Sequence, residues 1–397
     1  MTNMTFKRTF HPVGQGAFFT EKFYAGTGET VFSVVYDCGM GIRQEYDDRL
    51  RKIINNAYKD DKDKPIDLIF ISHFDCDHVN GLVCLSEKNL ISEKTLVVVP
   101  FSDESKALFC FLYPYVITVF QMLERNKAKV IFLSDSNEDR RDNPISIEDL
   151  NKMNQISSGQ AILFDEFWCY VPFNLGNNNK WHERIGSHFH KLINKLSFSS
   201  EDDFHELREL RNIMSQIRIE YRGLQKCFPT GSANSINMNS LQLFSSDYSC
   251  FKQTNQVGEY TQHFTEIVEY SCNMIYNKIN SSCLYTGDTT LTETNKQLNI
   301  LEHIFKRLDE IVTQNGISKF RKIGMIQIPH HGSYKCYSSK IASHERIASA
   351  FVNYSPNGKA KFDAKIITDF ERMRKPLFRV TDNENSITTF TYPSCNE

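Results

Sequence analysis

The chain pairs none of its 11 cysteines in a CxxC spacing, carries no strong charge of either sign, and has no apolar run long enough to span a bilayer. Scattered, unpaired thiols argue against a disulfide framework and read as reduced cysteines. The N-terminal stretch Met1-Thr2-Asn3-Met4-Thr5-Phe6-Lys7-Arg8 lacks the apolar core of a signal peptide, so a cytoplasmic location is the expectation. The longest apolar stretch, Ala107 to Leu123, is shorter than about 20 residues and contains Tyr113, Pro114, Tyr115, Thr118 and Gln121. It reads as a buried helix, and no membrane partner is expected. A net charge of -2 and a pI near 6.6 exclude a globally basic nucleic-acid binder. What is present suits an enzyme: 397 residues with 40% hydrophobic content can bury a large core, read here as one elaborated domain.

The chemistry concentrates in Ser72-His73-Phe74-Asp75-Cys76-Asp77-His78-Val79-Asn80-Gly81, where two imidazoles and two carboxylates fall within six positions. They follow directly on Ile66-Asp67-Leu68-Ile69-Phe70-Ile71, a strand-like run. A strand leaving a buried sheet delivers such side chains to the sheet's edge, where a cation offsets their desolvation and mutual repulsion. Without a cation, His73 and His78 would have to hydrogen-bond to neighbours in a polar loop. Strand alternation sets Cys76 opposite Asp75 and Asp77, so it is expected to pack rather than ligate, as are Cys38 and Cys336.

Two distant segments share that character. Leu284-Tyr285-Thr286-Gly287-Asp288 is a short apolar strand whose glycine turn presents one carboxylate, and Ile326-Gln327-Ile328-Pro329-His330-His331-Gly332-Ser333 is another that delivers two histidines. Each is weak alone, because Gly-Asp is usually a turn and a His pair is commonly at the surface. Together the three strand ends supply His73, Asp75, Asp77, His78, Asp288 and one or both of His330 and His331. That is enough for two adjacent metal ions, with Asp288 as the natural bridge.

Further motifs stand in order around these: Val13-Gly14-Gln15-Gly16, then Val34-Val35-Tyr36-Asp37-Cys38-Gly39, and later Asn239-Ser240-Leu241-Gln242-Leu243 just before the Gly-Asp strand. In this ordered set the chain resembles the metallo-β-lactamase-fold hydrolases, and within them the stand-alone soluble relatives of the ComEC hydrolase domain. The resemblance covers about His11 to Leu82 and about Ser235 to the C-terminal strands. It implies an α/β fold, a four-layer αββα sandwich forming a single domain over residues 1–397, with a helical insertion at 182–234. Two positions depart from the group: Ala17 stands where an Asp is usual, and Phe362-Asp363 where a His-Pro is usual.

The resemblance also implies roles. His73, Asp75, Asp77, His78, Asp288 and His331 would ligate two divalent ions, His331 being chosen by the Pro-x-His-Gly pattern. Asp77 would act as general base, and His330 would protonate or steady the leaving oxygen. Asn239 would stand near where relatives place a further His, and Ser333 would contact a phosphate or cap a helix. Asp75 replaces a His common in the wider superfamily, so the site is oxygen-rich, favouring Mn2+ with Zn2+ as the alternative. The expected activity is a metal-dependent phosphodiesterase, a nuclease with nucleic acid as substrate. The alternatives are a hydrolase of small lactones or thioesters, or a partner-dependent component of a bacterial defence complex.

Elsewhere, strands are expected near 6 to 11, 17 to 24, 31 to 37, 66 to 71, 95 to 99, 129 to 133 and 168 to 172, with a helix starting near His78. Within the insertion, Leu207, Leu210, Ile213, Met214, Ile217 and Tyr221 recur at spacings of three and four, an amphipathic helix suited to a cap or a protein-partner surface. His182, His188, His190 and His205 match no ligand spacing and read as surface residues. Between Lys359 and Arg379 seven basic residues face three acidic ones, most simply a solvated helix face.

Overall fold

The computed structural model describes residues 4–41, 46–61, 64–100, 114–134, 143–165, 167–174, 240–248, 259–262, 281–289, 300–311, 320–334, 336–358 and 362–393. Three antiparallel strands open the chain: β1 (Met4–Phe10), β2 (Phe18–Ala25) and β3 (Thr30–Cys38). Helices then alternate with strands: α1 (Tyr46–Ala57), β4 (Leu68–Phe70), α2 (Cys76–Val79), α3 (Gly81–Glu87), β5 (Leu96–Val99), α4 (Pro114–Arg125) and β6 (Lys129–Ser134). A second group follows with β7 (Ile145–Ser146), α5 (Ile147–Lys152), β8 (Gln155–Ser157), β9 (Ile162–Phe164) and β10 (Trp168–Phe173). The C-terminal part holds β11 (Gln242–Asp247), β12 (Glu259–Gln262), β13 (Cys283–Tyr285), α6 (Ile300–Glu310), β14 (Ile323–Gln327), α7 (Ser339–Ser343), β15 (Ile347–Asn353), α8 (Lys365–Arg372), β16 (Leu377–Val380) and β17 (Thr388–Pro393).

Among the described residues these strands form two mixed sheets, so the chain has α/β character. The first runs β12-β17-β1-β2-β3-β4-β5-β6-β8 and the second β16-β15-β14-β13-β11-β10-β9-β7. From β3 to β8 the first sheet is parallel, with Val35, Ile69, Val97 and Val130 in register across four strands. β13, β14, β15 and β16 are likewise parallel in the second.

Strand alternation explains the packing. In β4 and β5, Leu68, Phe70, Leu96 and Val98 point between the sheets, while Ile69, Val97 and Val99 point outward against Leu50 and Ile54 of α1, Leu85 of α3 and Val119 and Leu123 of α4. Both faces are covered, which is why these strands read as unbroken apolar runs. The second sheet sends Val171, Phe244, Leu284 and Ile326 outward against Ile304 and Leu308 of α6, Ile341 of α7 and Phe370 of α8. Between the sheets aromatic rings meet directly: Phe10 stacks on Phe351 at 3.9 Å and Tyr36 on Tyr285 at 4.8 Å between centroids.

One polar group also crosses that interior. Arg8 of β1 is wholly buried, and its Nε donates to Glu21 of β2 at 2.7 Å. Its other nitrogens reach the Ser281 carbonyl at 2.6 Å and the Ser245 hydroxyl at 3.2 Å on the second sheet. Glu21 in turn accepts from Tyr285 and Ser245, each at 2.7 Å.

The expected strands are found within a few residues of their expected limits. The helix near His78 begins earlier, at Cys76, and breaks at Asn80, whose side chain clamps Met40 through its N–H (3.0 Å) and carbonyl (2.8 Å). The apolar stretch ending at Leu123 is helical from Pro114, and its earlier part lies outside the described residues. So do the 182–234 insertion, its amphipathic helix and its histidines, Asn239, Lys359 and Lys361. Among the described residues no helix is long and apolar enough to cross a membrane. α8 carries part of the basic C-terminal run, with Arg372 paired to Asp369 at 3.1 Å.

Candidate metal centre

Four strand ends converge at one edge of the two sheets. β3 ends next to Asp37, β4 runs into Ser72 and His73, β13 into Gly287 and Asp288, and β14 into His330 and His331. All four strands run parallel to a neighbour, and the carboxyl ends of such strands are where α/β sheets open a crevice for ligands. The Asp77–His78 loop is drawn in by backbone packing. A Cβ at Gly39 would lie 2.4 Å from the Asp77 carbonyl carbon, so only glycine allows this approach.

Asp288 is the centre of the arrangement. Its Oδ1 lies 3.5 Å from His78 Nε2 and 3.9 Å from His331 Nε2, and its Oδ2 lies 3.8 Å from His73 Nε2 and 3.7 Å from His330 Nε2. The remaining carboxylates sit on opposite sides: Asp77 Oδ2 is 3.5 Å from His331 Nε2, and Asp75 Oδ2 is 3.6 Å from His73 Nε2. These separations exceed a hydrogen bond. Two ligands at about 2.1 Å from one cation at a tetrahedral angle are about 3.4 Å apart, close to what is seen. Donor atoms of His73, His78 and Asp288, and of Asp77, His78 and His331, lie within 4.8 Å of one another, and each group could hold a metal ion.

Hydrogen bonding outside the cluster sets two of the rings. Asp37 Oδ2 lies 2.8 Å from His78 Nδ1, and a carboxylate only accepts, so Nδ1 carries a hydrogen and Nε2 is the nitrogen that offers a lone pair whenever the ring is neutral. The Ser72 hydroxyl donates to Asp37 Oδ2 at 2.5 Å and must therefore accept from His73 Nδ1, 2.9 Å away. His73 Nε2 is then a lone pair too. Both Nε2 atoms are buried and meet no hydrogen-bond partner among the described residues. Two buried ring nitrogens aimed at carboxylates with no hydrogen-bond partner need positive charge between them, from a proton or a cation, and this donor set fits a cation.

The second half of the cluster is held by the loops after β13 and β14. Gln327 Oε1 accepts from the backbone N–H groups of Thr286 and Gly287 at 2.9 and 3.1 Å, and His330 N–H donates to the Gly287 carbonyl at 3.2 Å. Gly287 has φ +54°, and its Cβ would meet Ser72 at 2.9 Å. Asp37, His330 and His331 adopt φ of +54°, +50° and +55°. Non-glycine residues pay strain there, and three such residues in one cluster mark a place where side-chain aim overrides backbone preference. His330 Nδ1 contacts Cys336 Sγ at 3.1 Å, and Gly16 N–H points at His331 Nδ1 at 3.4 Å.

Burial opposes charge on every group here, and the neighbours decide the outcome. Burial pulls His78 down, but Asp288 and Asp37 outweigh it and hold its pKa well above the ordinary value. His331 is raised against burial by Asp288 and Asp77. Burial would raise Asp288 and Asp77, yet nearby imidazoles hold both below the usual carboxylate range. His330 goes the other way: burial prevails over Asp288 and lowers it.

The structure thus brings together His73, Asp75, Asp77, His78, Asp288, His330 and His331. Ser333 is buried directly after them, but it closes the His330–Gly332 turn, and Ser338 caps α7 instead, its hydroxyl accepting from Lys340 N–H at 3.3 Å. The helix-cap expectation for Ser333 is corrected, because the chain needs five more residues before a helix begins. Cys76 opens α2, so strand alternation does not govern it. Sequence reasoning assigned no role at the site to Asp37, Ser72 or Gln327, and expected Cys336 only to pack, whereas it lies against His330. Only for Asp37, a carboxylate ending an apolar strand two residues before a glycine, was there a signal.

No family model matches the chain, and no curated protein matches it. The crystal structure of unliganded yeast PDE1 is similar at a TM-score of 0.41 with 10% identity, over 98% of this chain and 100% of that one. A likeness of that degree carries no argument about fold or activity, and the reading of the site rests on its own geometry.

Proposed function

We propose that this chain is a metal-dependent phosphodiesterase, a nuclease of the metallo-β-lactamase αββα fold related to the ComEC hydrolase domain. The observation that supports it is Asp288, whose two oxygens each face two histidines at 3.5 to 3.9 Å, with Asp75 on one side and Asp77 on the other. His73, Asp75, Asp77, His78, Asp288 and His331 would hold two divalent ions, Mn2+ before Zn2+ because half of that set is carboxylate. When bound, such ions activate water at neutral pH and neutralise charge on phosphoryl oxygens.

The chain's own groups do the rest. Asp77 orients the attacking water and accepts its proton, since its carboxylate faces His331 and stays ionised. His330, whose side chain is 20% exposed, would protonate or steady the leaving oxygen from the open side. Ser333 and Asn239 are assigned to the phosphate, and the 182–234 segment to a protein partner.

The test is hydrolysis of a generic phosphodiester by metal-stripped protein reloaded with manganese or zinc, with Asp77→Asn alongside. Turnover restored by metal and lost in Asp77→Asn is the expected result. Hydrolysis of lactones or thioesters with no phosphodiester turnover would overturn the reading.

A further inference from the structure

Among the described residues four large apolar side chains are exposed: Val31, Ile117, Tyr334 and Met373. Tyr334 is the most exposed of them and the one aromatic ring, and the contacts it makes within the chain still leave 65% of it in water. Its place gives that exposure meaning, because it stands three residues after His331 in the loop that follows β14. His73, His78 and His331 are buried, while His330, in the same loop as Tyr334, opens to solvent. An exposed ring thus sits just beyond the open end of the candidate metal centre.

The backbone that carries this ring is pinned. Ser333 N–H donates to the His330 carbonyl at 2.9 Å, and the Ser333 carbonyl accepts from Cys336 and Tyr337 N–H at 3.0 and 3.1 Å, so Tyr334 is the first residue of a closed turn. Across the loop, Asp363 N–H donates to the Gly332 carbonyl at 2.9 Å and Ser333 forms an antiparallel bridge with Phe362. Phe362 lies so close on Gly332 that a Cβ there would meet its ring at 2.7 Å, and Tyr354 stacks on Phe362 at 4.3 Å. A ring held in water on a fixed turn loses little freedom when a ligand lands on it. What it takes best is another flat π-system, because stacking buries the faces of both.

A phosphodiester of a nucleic acid brings flat rings close to its phosphate. In a duplex those rings are stacked on their neighbours, whereas unpaired bases can be splayed out onto an aromatic side chain. The net charge of -2 supplies no general attraction for phosphates, so ring contact adds a grip that overall charge does not. We propose that Tyr334 is a stacking platform for an unpaired base beside the phosphate held at the metal centre. Single-stranded nucleic acid is then the preferred substrate class, with little regard to base identity, because every base has a π-face. The phosphate at the metals rests on the phosphodiesterase reading; the base contact is a binding property and is measured without turnover.

The experiment is fluorescence anisotropy of the zinc-loaded full chain with a single-stranded oligonucleotide whose phosphorothioate linkages resist cutting, beside an abasic strand of equal length and the duplex. Tyr334→Ala is expected to weaken single-strand binding about tenfold, as loss of one base stacked on one ring does. Tyr334→Phe keeps the ring and stays close to wild type. The wild type is expected to hold the abasic strand and the duplex about as weakly as Tyr334→Ala holds the single strand. With a cleavable single strand, Tyr334→Ala is expected to raise KM about tenfold at unchanged kcat. Because Tyr334 is exposed, both variants are expected to fold. Equal single-strand affinity in wild type and Tyr334→Ala, duplex or abasic binding as tight as single-strand binding, or no binding at all overturns the proposal. If base-dependent binding is seen and neither manganese nor zinc gives turnover, the phosphodiesterase reading fails while the platform stands.

Discussion

Arg8 and Glu21 form one buried cluster of charge joining the two sheets; His73, His78, Asp77 and Asp288 form another at the strand ends. The first is self-sufficient: the guanidinium meets a carboxylate, a carbonyl and a hydroxyl, and Glu21 accepts from Tyr285 and Ser245 as well. The second is deliberately incomplete. Outer hydrogen bonds from Asp37 and Ser72 use up the Nδ1 positions, and the inner nitrogens face carboxylates at distances too long for hydrogen bonds. The difference teaches how to tell a structural charge cluster from a binding one. Satisfied groups hold sheets together, whereas convergent lone pairs with fixed backs wait for a cation.

The sharpest break in that comparison is Asp288→Asn. It removes the carboxylate shared by both halves, and metal content measured after dialysis is expected to fall to none, with turnover down by more than about 100-fold. Folding should survive, since no apolar packing is lost. Arg8→Met does the reverse: it strands Glu21 and is expected to cost about 3–5 kcal/mol in denaturant unfolding, with little change in affinity of whatever metal the folded fraction binds. Adding Glu21→Leu should recover most of that loss, which would confirm that the first cluster is a packing device.

Asp37→Asn touches the second cluster from behind. An amide can donate to His78 Nδ1, freeing the ring to place its hydrogen on Nε2, and metal affinity by titration is expected to drop by about 10–100-fold. Equal affinity in this variant would show that the lone pairs are not preset. The smallest effect is a pH dependence of the metal-stripped protein. His78 is raised in the fold, so its contribution is complete below the ordinary value of 6.5 and is lost as pH rises through the raised one. Asp77 and Asp288 are lowered, so theirs is present above the ordinary 3.8 and is lost as pH falls through the lowered values. Urea midpoints in the presence of chelator should therefore peak at mildly acidic pH, and added zinc should move the peak upward because ligands bind the ion without their protons.

Much of this was legible beforehand because the relevant signals are local. An apolar run ending in closely spaced His and Asp announces a strand feeding a polar loop, and β4 with its His73–His78 loop is found where that pattern places it. The strands β13 and β14 announce themselves in the same way. The helix start at Cys76 was misjudged because Asp75 caps that helix by backbone conformation without a side-chain bond, leaving no cap signature beyond the ligand residues themselves. The helix-cap reading of Ser333 fails because a short turn after Gly332 mimics a helix entry.

The sequence by itself determined the identity and order of the metal-site candidates, since ligand chemistry resides in side chains and strand ends can be read from alternation and glycine. Only the tertiary structure decided which nitrogen of each ring faces inward. That choice depends on Asp37 reaching His78 from 41 residues away and, through its hold on the Ser72 hydroxyl, setting His73 as well. Three-dimensional packing sets such partners, because a hydrogen bond needs atoms within about 3 Å and no sequence periodicity encodes that proximity.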